Sequence, residues 1–368
     1  MKIFWSCLRY SLFGLLGLIA IAAALFAYFI YSPDPDMPQL SGTFTKTTMD
    51  VDGVERTYRV YQPRDLPKDA PLVIVLHGSG ENGAQIRLET GYGFDRLADQ
   101  HGFAVVYPSA SSFDWNDCSK IGDYSVNGRE SDDVRFLVKL VDTLATDIGV
   151  DTGRVFATGV SSGGFMAIRL ALEAPARFRA VAAVSANVPA PENFKCKPAG
   201  PGSAVGTSIM IMNGTKDPLV HFEGGESSLF GLFFKSGNIR STIDSGRYFA
   251  EIDKITSQPV VSSTPDSKNE SQNVGHVLWR NDSNLEVELV TITGGGHGLP
   301  QPWWRRPRLL GPSPMTPDGS ELIWNFFARQ RPCPKIGSRL LCVIEFKAGI
   351  YLSHRLQPGH AEPALVQL

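Results

Sequence analysis

Apolar positions along this chain fall into two regimes. From Tyr10 to Tyr31 (YSLFGLLGLIAIAAALFAYFIY) they form one uncharged run, which as a helix would span roughly 33 Å, about one bilayer core. Beyond residue 50 the runs shorten. Glu55 to Tyr61 (ERTYRVY) alternates polar and apolar residues as a half-buried strand does, while Pro71–Leu76 (PLVIVL) and Phe103–Tyr107 (FAVVY) are continuous, the pattern of strands buried on both faces. Between 131 and 148, Val134, Leu137, Val138, Val141, Leu144 and Ile148 recur at helical spacing, with Ser131 placed to cap the helix start. Strand Arg154–Thr158, a helix from about Gly163 to Ala174 stopped by Pro175, and strands Ala180–Ser185, Ser208–Asn213 and Leu285–Ile292 follow, and a helix over Gly319–Ala328 closes the series. Strands alternating with helices predict an α/β fold, a mostly parallel central sheet with helices on both faces, plus one N-terminal transmembrane helix.

The predicted organisation is a membrane segment at 1–31, a linker at 32–43, a catalytic domain at 44–331 and a tail at 332–368 with no assigned role. Lys2 and Arg9 precede the apolar run, and Asp34 and Asp36 follow it in SPDPDMP. That asymmetry keeps the N-terminus in the cytoplasm and sends the rest across, so the body is expected on the periplasmic or extracellular side. A cleaved signal peptide is the alternative, since Ala22-Ala23-Ala24 offers a small-residue cleavage site and would leave a secreted protein. Cleavage there leaves an apolar stub, LFAYFIY, which favours an anchor.

Export changes how the cysteines read. In an oxidising compartment Cys118 and Cys196 are candidates for a disulfide, with two buried thiols as the alternative; Cys333 and Cys342 lie near the C-terminus. A formal charge of −2 without a basic block gives no sign of nucleic-acid binding. Neither HExxH nor paired CxxC spacing occurs, so no metal and no cofactor is implied.

In parallel sheets the chemistry lies beyond the carboxyl ends of the strands. There, strand RVFAT runs into Gly159-Val160-Ser161-Ser162-Gly163-Gly164 and then FMAIRLALE, a G-x-S-x-G in its required context of strand, sharp turn and helix. Ser161 is the candidate nucleophile, because a serine in a strained turn needs side-chain-free neighbours. His297, in GGGHG after LEVELVTI, is the candidate base, and Asp217, in GTKDP after SIMIMN, the carboxylate that would hold it in one tautomer. The chain order Ser, Asp, His is the one an α/β-hydrolase uses. The amide of Ser162 and that of Ser79, in His77-Gly78-Ser79-Gly80 after PLVIVL, are the candidate oxyanion donors.

Together these segments resemble the secreted esterase family that includes polyhydroxybutyrate depolymerases and feruloyl or acetylxylan esterases, over about residues 44–330. LHGSG is similar to the family's oxyanion loop, FDWNDC (113–118) to its W-N-x-C segment, Asp132-Asp133-Val134 to its D-D-V helix start, VFATGVSSGGFMA to its nucleophile segment, NGTKDPLV (213–220) to its acid segment, and GGGH to its histidine loop. The resemblance implies a cofactor-free carboxylic-ester hydrolase with the triad on Ser161, Asp217 and His297. It implies substrate contact at Trp115, and the pair Trp303-Trp304 is a candidate grip on a sugar, aryl or polyester chain or a packing element. The stretch Phe222 to Pro265 is long between acid and histidine, and FEGGESSLFGLFF within it reads as a partly apolar flap. The expected partner is an ester substrate, polymeric or small, with the membrane held through the N-terminal helix. A peptidase or acyltransferase on the same triad, or a non-catalytic hydrolase-fold binding module, are the alternatives.

Overall fold

The structure is a computed structural model; it describes residues 2–122, 124–126, 129–198, 206–229, 231, 233–266, 269–282 and 284–330, with short stretches between 335 and 351. The tail beyond 331, with Cys333 and Cys342, lies mostly outside the described residues.

The apolar run forms helix α1 (Lys2–Phe29), and Phe4–Phe29 has a mean hydropathy of 2.4 with none of it buried against the body. By length and composition it is able to cross a membrane, a test that a signal sequence also passes.

The body is built on a ten-stranded sheet. Its first strands are β1 (Thr43–Val51), β2 (Val54–Gln62), β3 (Ala70–Leu76), β4 (Ala104–Pro108), β5 (Val150–Val160), β6 (Ala180–Val184) and β7 (Ser208–Gly214). A separate hairpin follows, β8 (Gly225–Leu229) and β9 (Phe233–Ile239), before β10 (Val260–Asp266), β11 (Asn269–Arg280) and β12 (Glu286–Ile292) complete the sheet. The spatial order is β1-β2-β4-β3-β5-β6-β7-β12-β11-β10. The centre, from β4 through β12, is parallel, and its strands are apolar on both faces because helices cover both. Against one face pack α4 (Asp133–Ile148), α5 (Ser162–Glu173) and α6 (Thr242–Ile252), through Phe136, Leu170 and Phe249. Against the other pack α2 (Gly83–Glu89), α3 (Gly93–His101) and α7 (Gly319–Arg329). On that face Phe156 stacks on Phe327 at 4.8 Å and Phe103 on Trp324 at 4.1 Å. Each such buried ring contributes about 2–3 kcal/mol of hydrophobic stabilisation.

The α/β-hydrolase layering expected from the sequence is present, and two features differ from the reading. The sheet edges are antiparallel: β1–β2 and β10–β11 are hairpins that extend the parallel centre. Strand β1 is TFTKTTMDV, largely exposed, so it carries little apolar signal to read. The cap of α4 is Asp132, whose carboxylate accepts the Arg135 amide at 3.0 Å, and Ser131 instead donates its hydroxyl to Asp133 at 2.6 Å. Asp133, fully buried, also holds Arg56 at 2.6 Å and the Asn116 amide at 2.8 Å. The D-D-V start thus caps a helix with one aspartate and ties down the 113–118 loop with the next. Cys118, in that loop, is disulfide-bonded to Cys196.

Candidate active site

Because β3, β5, β7 and β12 are parallel, the loops leaving their carboxyl ends meet at one edge of the sheet. Ser161 follows β5 directly and has φ 57° and ψ −122°, a left-handed conformation that L residues adopt only under constraint. The constraint is visible on both sides. Its amide donates to Val184 O at 2.9 Å, and its carbonyl accepts the Phe165 amide at 2.9 Å, so the turn is pinned to β6 and to α5. Any Cβ at Gly159 would collide with the Gly163 backbone, and one at Gly163 with the carbonyls of Leu76 and His77. Strand, turn and helix close only with glycine at both positions.

Asp217 sits in the turn after β7, with its carboxylate enclosed. One oxygen accepts the amides of Leu219 at 2.8 Å and Val220 at 2.9 Å, and the other meets His297 Nδ1 at 2.8 Å. Burial alone would raise this carboxyl, but the His297 ring and the two amides outweigh it and hold Asp217 below the ordinary carboxylate range. His297 is itself buried, on a loop fixed at three points. Its amide donates to Leu310 O at 2.8 Å, that of Gly296 to Pro312 O at 2.7 Å, and that of Gly298 to the Ser185 hydroxyl at 2.8 Å.

A cavity of ≈ 140 Å³ opens at this edge, and Ser161, Ser162, His297 and Ser79 are among the residues that line it. The Ser79 loop is braced from behind by His77. Its Nε2 accepts the Ala110 amide at 2.9 Å, so Nδ1 carries the proton and donates to Gly78 O at 2.7 Å. Burial lowers the pKa of this ring, and it stays neutral. His77 is thereby a structural residue, with no hydrogen left to exchange with Ser161.

The aromatic residues expected to touch substrate lie elsewhere. Trp115 is completely buried: its indole N–H donates to His77 O at 3.0 Å and its amide to the Ser162 hydroxyl at 3.0 Å. It braces the two loops from within the core, which corrects the reading of it as a substrate contact. Trp303 lies under the Arg96 guanidinium at 3.9 Å, and Trp304 donates to Pro33 O at 2.8 Å. Neither lines the cavity; their packing role is the one the structure displays.

Other lining residues were not singled out in the sequence, although Asp117 lies within the FDWNDC segment. Glu81 accepts the Gly78 amide at 2.8 Å, and Arg306 enters from beyond the histidine loop. Asp117 faces the cavity with its carboxyl pushed up to about 6, by burial first, against the opposing hydrogen bonds of Ser119 and Tyr124. Ser227 and Ser236 bring the β8–β9 hairpin to the cavity, so the segment read as a flap belongs to a two-stranded element that helps line it. Among the described residues no cluster of His, Cys, Asp or Glu is arranged to hold a metal ion.

Comparison with known proteins adds to this geometry. Residues 57–195 match the family model described as Esterase PHB depolymerase. The chain is 29% identical to the putative esterase NocK of Nocardia uniformis subsp. tsuyamanensis, over 73% of this chain and 78% of that protein. It is 26% identical to poly(3-hydroxyalkanoate) depolymerase C of Paucimonas lemoignei, over 65% of this chain and only 57% of that protein's length. Among solved structures, an acetyl xylan esterase from Aspergillus awamori superposes with a TM-score of 0.50 at 20% identity, covering 70% of this chain and 94% of that one, a likeness of fold. Over residues 57–195 the chain is similar to the family described as Esterase PHB depolymerase, and these relatives are carboxylic ester hydrolases.

Proposed function

We propose that the chain hydrolyses carboxylic esters by two-step acyl transfer, with Ser161 as nucleophile, His297 as base and Asp217 as the acid that orients the base. The observation that carries this reading is the buried 2.8 Å bond between His297 Nδ1 and Asp217, made at the cavity that Ser161 and His297 both line. With Nδ1–H given to the carboxylate, Nε2 is the ring nitrogen left to take the serine proton. Ser161 Oγ attacks the ester carbonyl as its proton passes to Nε2. The tetrahedral oxyanion rests on the amides of Ser79 and Ser162; the latter opens α5, where an amide has no acceptor in a preceding turn. Collapse expels the alcohol, which takes the proton from Nε2, and water then repeats the sequence to free the acid. Each oxyanion amide is worth about 3 kcal/mol at the transition state.

The substrate class fitting the family is a polyester such as polyhydroxybutyrate, or an acetyl or feruloyl ester. Residues 44–331 are the catalytic domain in this reading. Helix α1 holds it outside the cytoplasm, since Lys2 and Arg9 precede the span and acids follow it.

The test is hydrolysis of p-nitrophenyl acetate and butyrate by the full chain beside its Ser161→Ala variant. A burst or steady turnover that disappears in the variant supports the acyl-enzyme route. Equal background rates from two well-folded proteins would sink it.

A further inference from the structure

The lower end of α1 does not leave the body freely; it is seated on the segment that follows the histidine loop. Arg308 lies with its guanidinium 4.3 Å from the Tyr28 ring centroid and donates to Tyr28 O at 3.4 Å. Ser32 donates its hydroxyl to Arg305 O, and Trp304 donates its indole N–H to Pro33 O at 2.8 Å. Three successive points of the chain leaving the helix are therefore held by the run Trp304-Arg305-Arg306-Pro307-Arg308. These contacts are directional, and they fix how the body is presented where the helix ends.

Two neighbouring residues of the same stretch, Arg306 and Leu310, reach the candidate active site, whereas Arg305 and Arg308 do not line it. Arg308–Leu310 is one turn of 3₁₀ helix. Leu310, two residues and about 4 Å of helical rise beyond the Tyr28 contact, lines the cavity and accepts the His297 amide at 2.8 Å. Arg306, two residues before Arg308, lines the cavity as well. The residue that meets the helix and the residue that meets the catalytic loop thus belong to a single short turn.

The exposed side chains of this segment and of the helix foot, with Arg305 donating to Met315 Sδ and Arg308 packed on Tyr28, have the chemistry of a bilayer interface. Trp303 is 47% exposed even under Arg96, Tyr31 63% and Met315 40%, while Arg305 and Arg308 are exposed. Aromatic rings at the level of the headgroups, with guanidinium groups reaching phosphate, are what the end of a membrane span presents to lipid. The linker carries Asp34 and Asp36 just beyond, so the local charge is mixed. The arginines act here by hydrogen-bonding phosphate rather than through a net positive field.

We propose that residues 303–310 and the foot of α1 form one docking surface for phospholipid headgroups, which holds the mouth of the cavity at the membrane and directs the enzyme to esters presented at the bilayer surface. The inference rests on the esterase reading and on a retained α1.

Both are separable in one experiment. The full chain is reconstituted into phosphatidylcholine–phosphatidylglycerol vesicles and given two substrates, water-soluble p-nitrophenyl acetate and bilayer-embedded 4-methylumbelliferyl palmitate. Two variants accompany it: Arg305→Glu with Arg308→Glu, and a chain with a Gly-Ser insertion between Tyr31 and Ser32 that uncouples the helix foot from the Ser32 and Pro33 contacts. The expected result is a fall of about tenfold in turnover of the embedded ester relative to the soluble one in both variants, with soluble turnover unchanged. An unchanged ratio in both variants overturns the docking surface, as does a membrane-extracted protein whose N-terminus begins after Ala24. Absence of soluble-ester turnover from the wild type would instead strike the esterase reading itself.

Discussion

Arg306 donates through Nη2 to the Glu89 carboxylate at 2.5 Å, and so ties the segment behind the histidine loop to the end of α2. The arginine's stem fills the space beside Gly298, so close that any side chain there would strike it. Both partners are largely enclosed. Burial, opposed by Arg306 and reinforced by neighbouring Glu81, pushes the Glu89 carboxyl up to about 7 from an ordinary 4.5. The ion pair is complete only when Glu89 is ionised, above that value. Below it Glu89 is protonated, and the arginine faces a neutral acid.

Replacing the arginine should therefore cost more in alkali than in acid. Arg306→Met leaves Glu89 buried without its cation, which should destabilise the fold by about 1–3 kcal/mol above pH 8 and by clearly less at pH 5. Urea unfolding of both proteins at the two pH values measures the difference. A penalty independent of pH would show that Arg306 acts through packing alone.

Neither residue of that pair could be read from the chain, whereas Ser161, Asp217 and His297 were placed in their loops without coordinates. The difference is physical. Each of the three follows a buried strand. RVFAT and SIMIMN are apolar runs, and LEVELVTI opens with apolar residues at every other position, so each marks where the strand ends and the site begins. Arg306 lies in a run of aromatic and basic residues without period, and Glu89 at the end of a short helix; their meeting depends on contacts 217 residues apart. The same limit explains Trp115, Trp303 and Trp304. An indole at a loop near the site has the same appearance in sequence whether it faces solvent or the core, and only packing separates the two. It also explains the sheet edges. Strand β1 pairs throughout its length with β2, yet its exposed threonines and lysine leave no hydrophobic alternation to detect.

Asp217→Asn tests the orientation of His297. An amide offers the ring the wrong partner, and in this type of triad that change lowers kcat about 10⁴-fold while the geometry survives. The expectation is a loss of that order in p-nitrophenyl acetate turnover with KM little changed. The carboxyl also carries a stability signature. Its folded pKa is depressed below 3.8, so its contribution is fully present above the unfolded value and is lost as pH falls through the folded one. Acid unfolding curves of wild type and Asp217→Asn should converge at low pH and separate above about pH 4. Near-wild-type kcat in the variant would remove Asp217 from the triad.

Asp253 presents the opposite sign. It follows α6 at the helix C-terminus, where a negative charge is unfavourable, and one carboxylate oxygen is buried without a hydrogen-bond partner among the described residues. Burial alone pushes its carboxyl up to about 7. The folded state then holds the proton more tightly than the unfolded chain, so stability declines as pH rises from about 4 through 7. Asp253→Asn should raise the unfolding free energy by about 1–3 kcal/mol at pH 8 and change little at pH 4. Activity should be untouched, since Asp253 is remote in role from the cavity. A variant no more stable at pH 8 would mean that the carboxylate finds water or a cation in solution.

The disulfide makes a prediction about both fold and site. Cys118 and Cys196 are 78 residues apart, and a cross-link closing a loop of that length removes unfolded-chain entropy worth about 4.5 kcal/mol in the simple loop model. Between them the chain passes through α4, β5, the Ser161 turn, α5 and β6, so the bridge encloses the whole unit that supports Ser161. It also fastens the end of the 113–118 loop, where Trp115 touches Ser162 and Asp117 faces the cavity. Cys118→Ala with Cys196→Ala should therefore lower the unfolding free energy by about 2–5 kcal/mol. A merely entropic clamp would leave kcat and KM intact at a temperature where the variant remains folded. A bridge that also holds the cavity wall should raise KM there, because Asp117 and Tyr124 lose their fixed position while Ser161 keeps its own backbone bonds to β6 and α5. Thermal unfolding followed by steady-state kinetics well below the variant's transition separates these, and unchanged stability on removing both cysteines would show that the native chain is reduced at this pair.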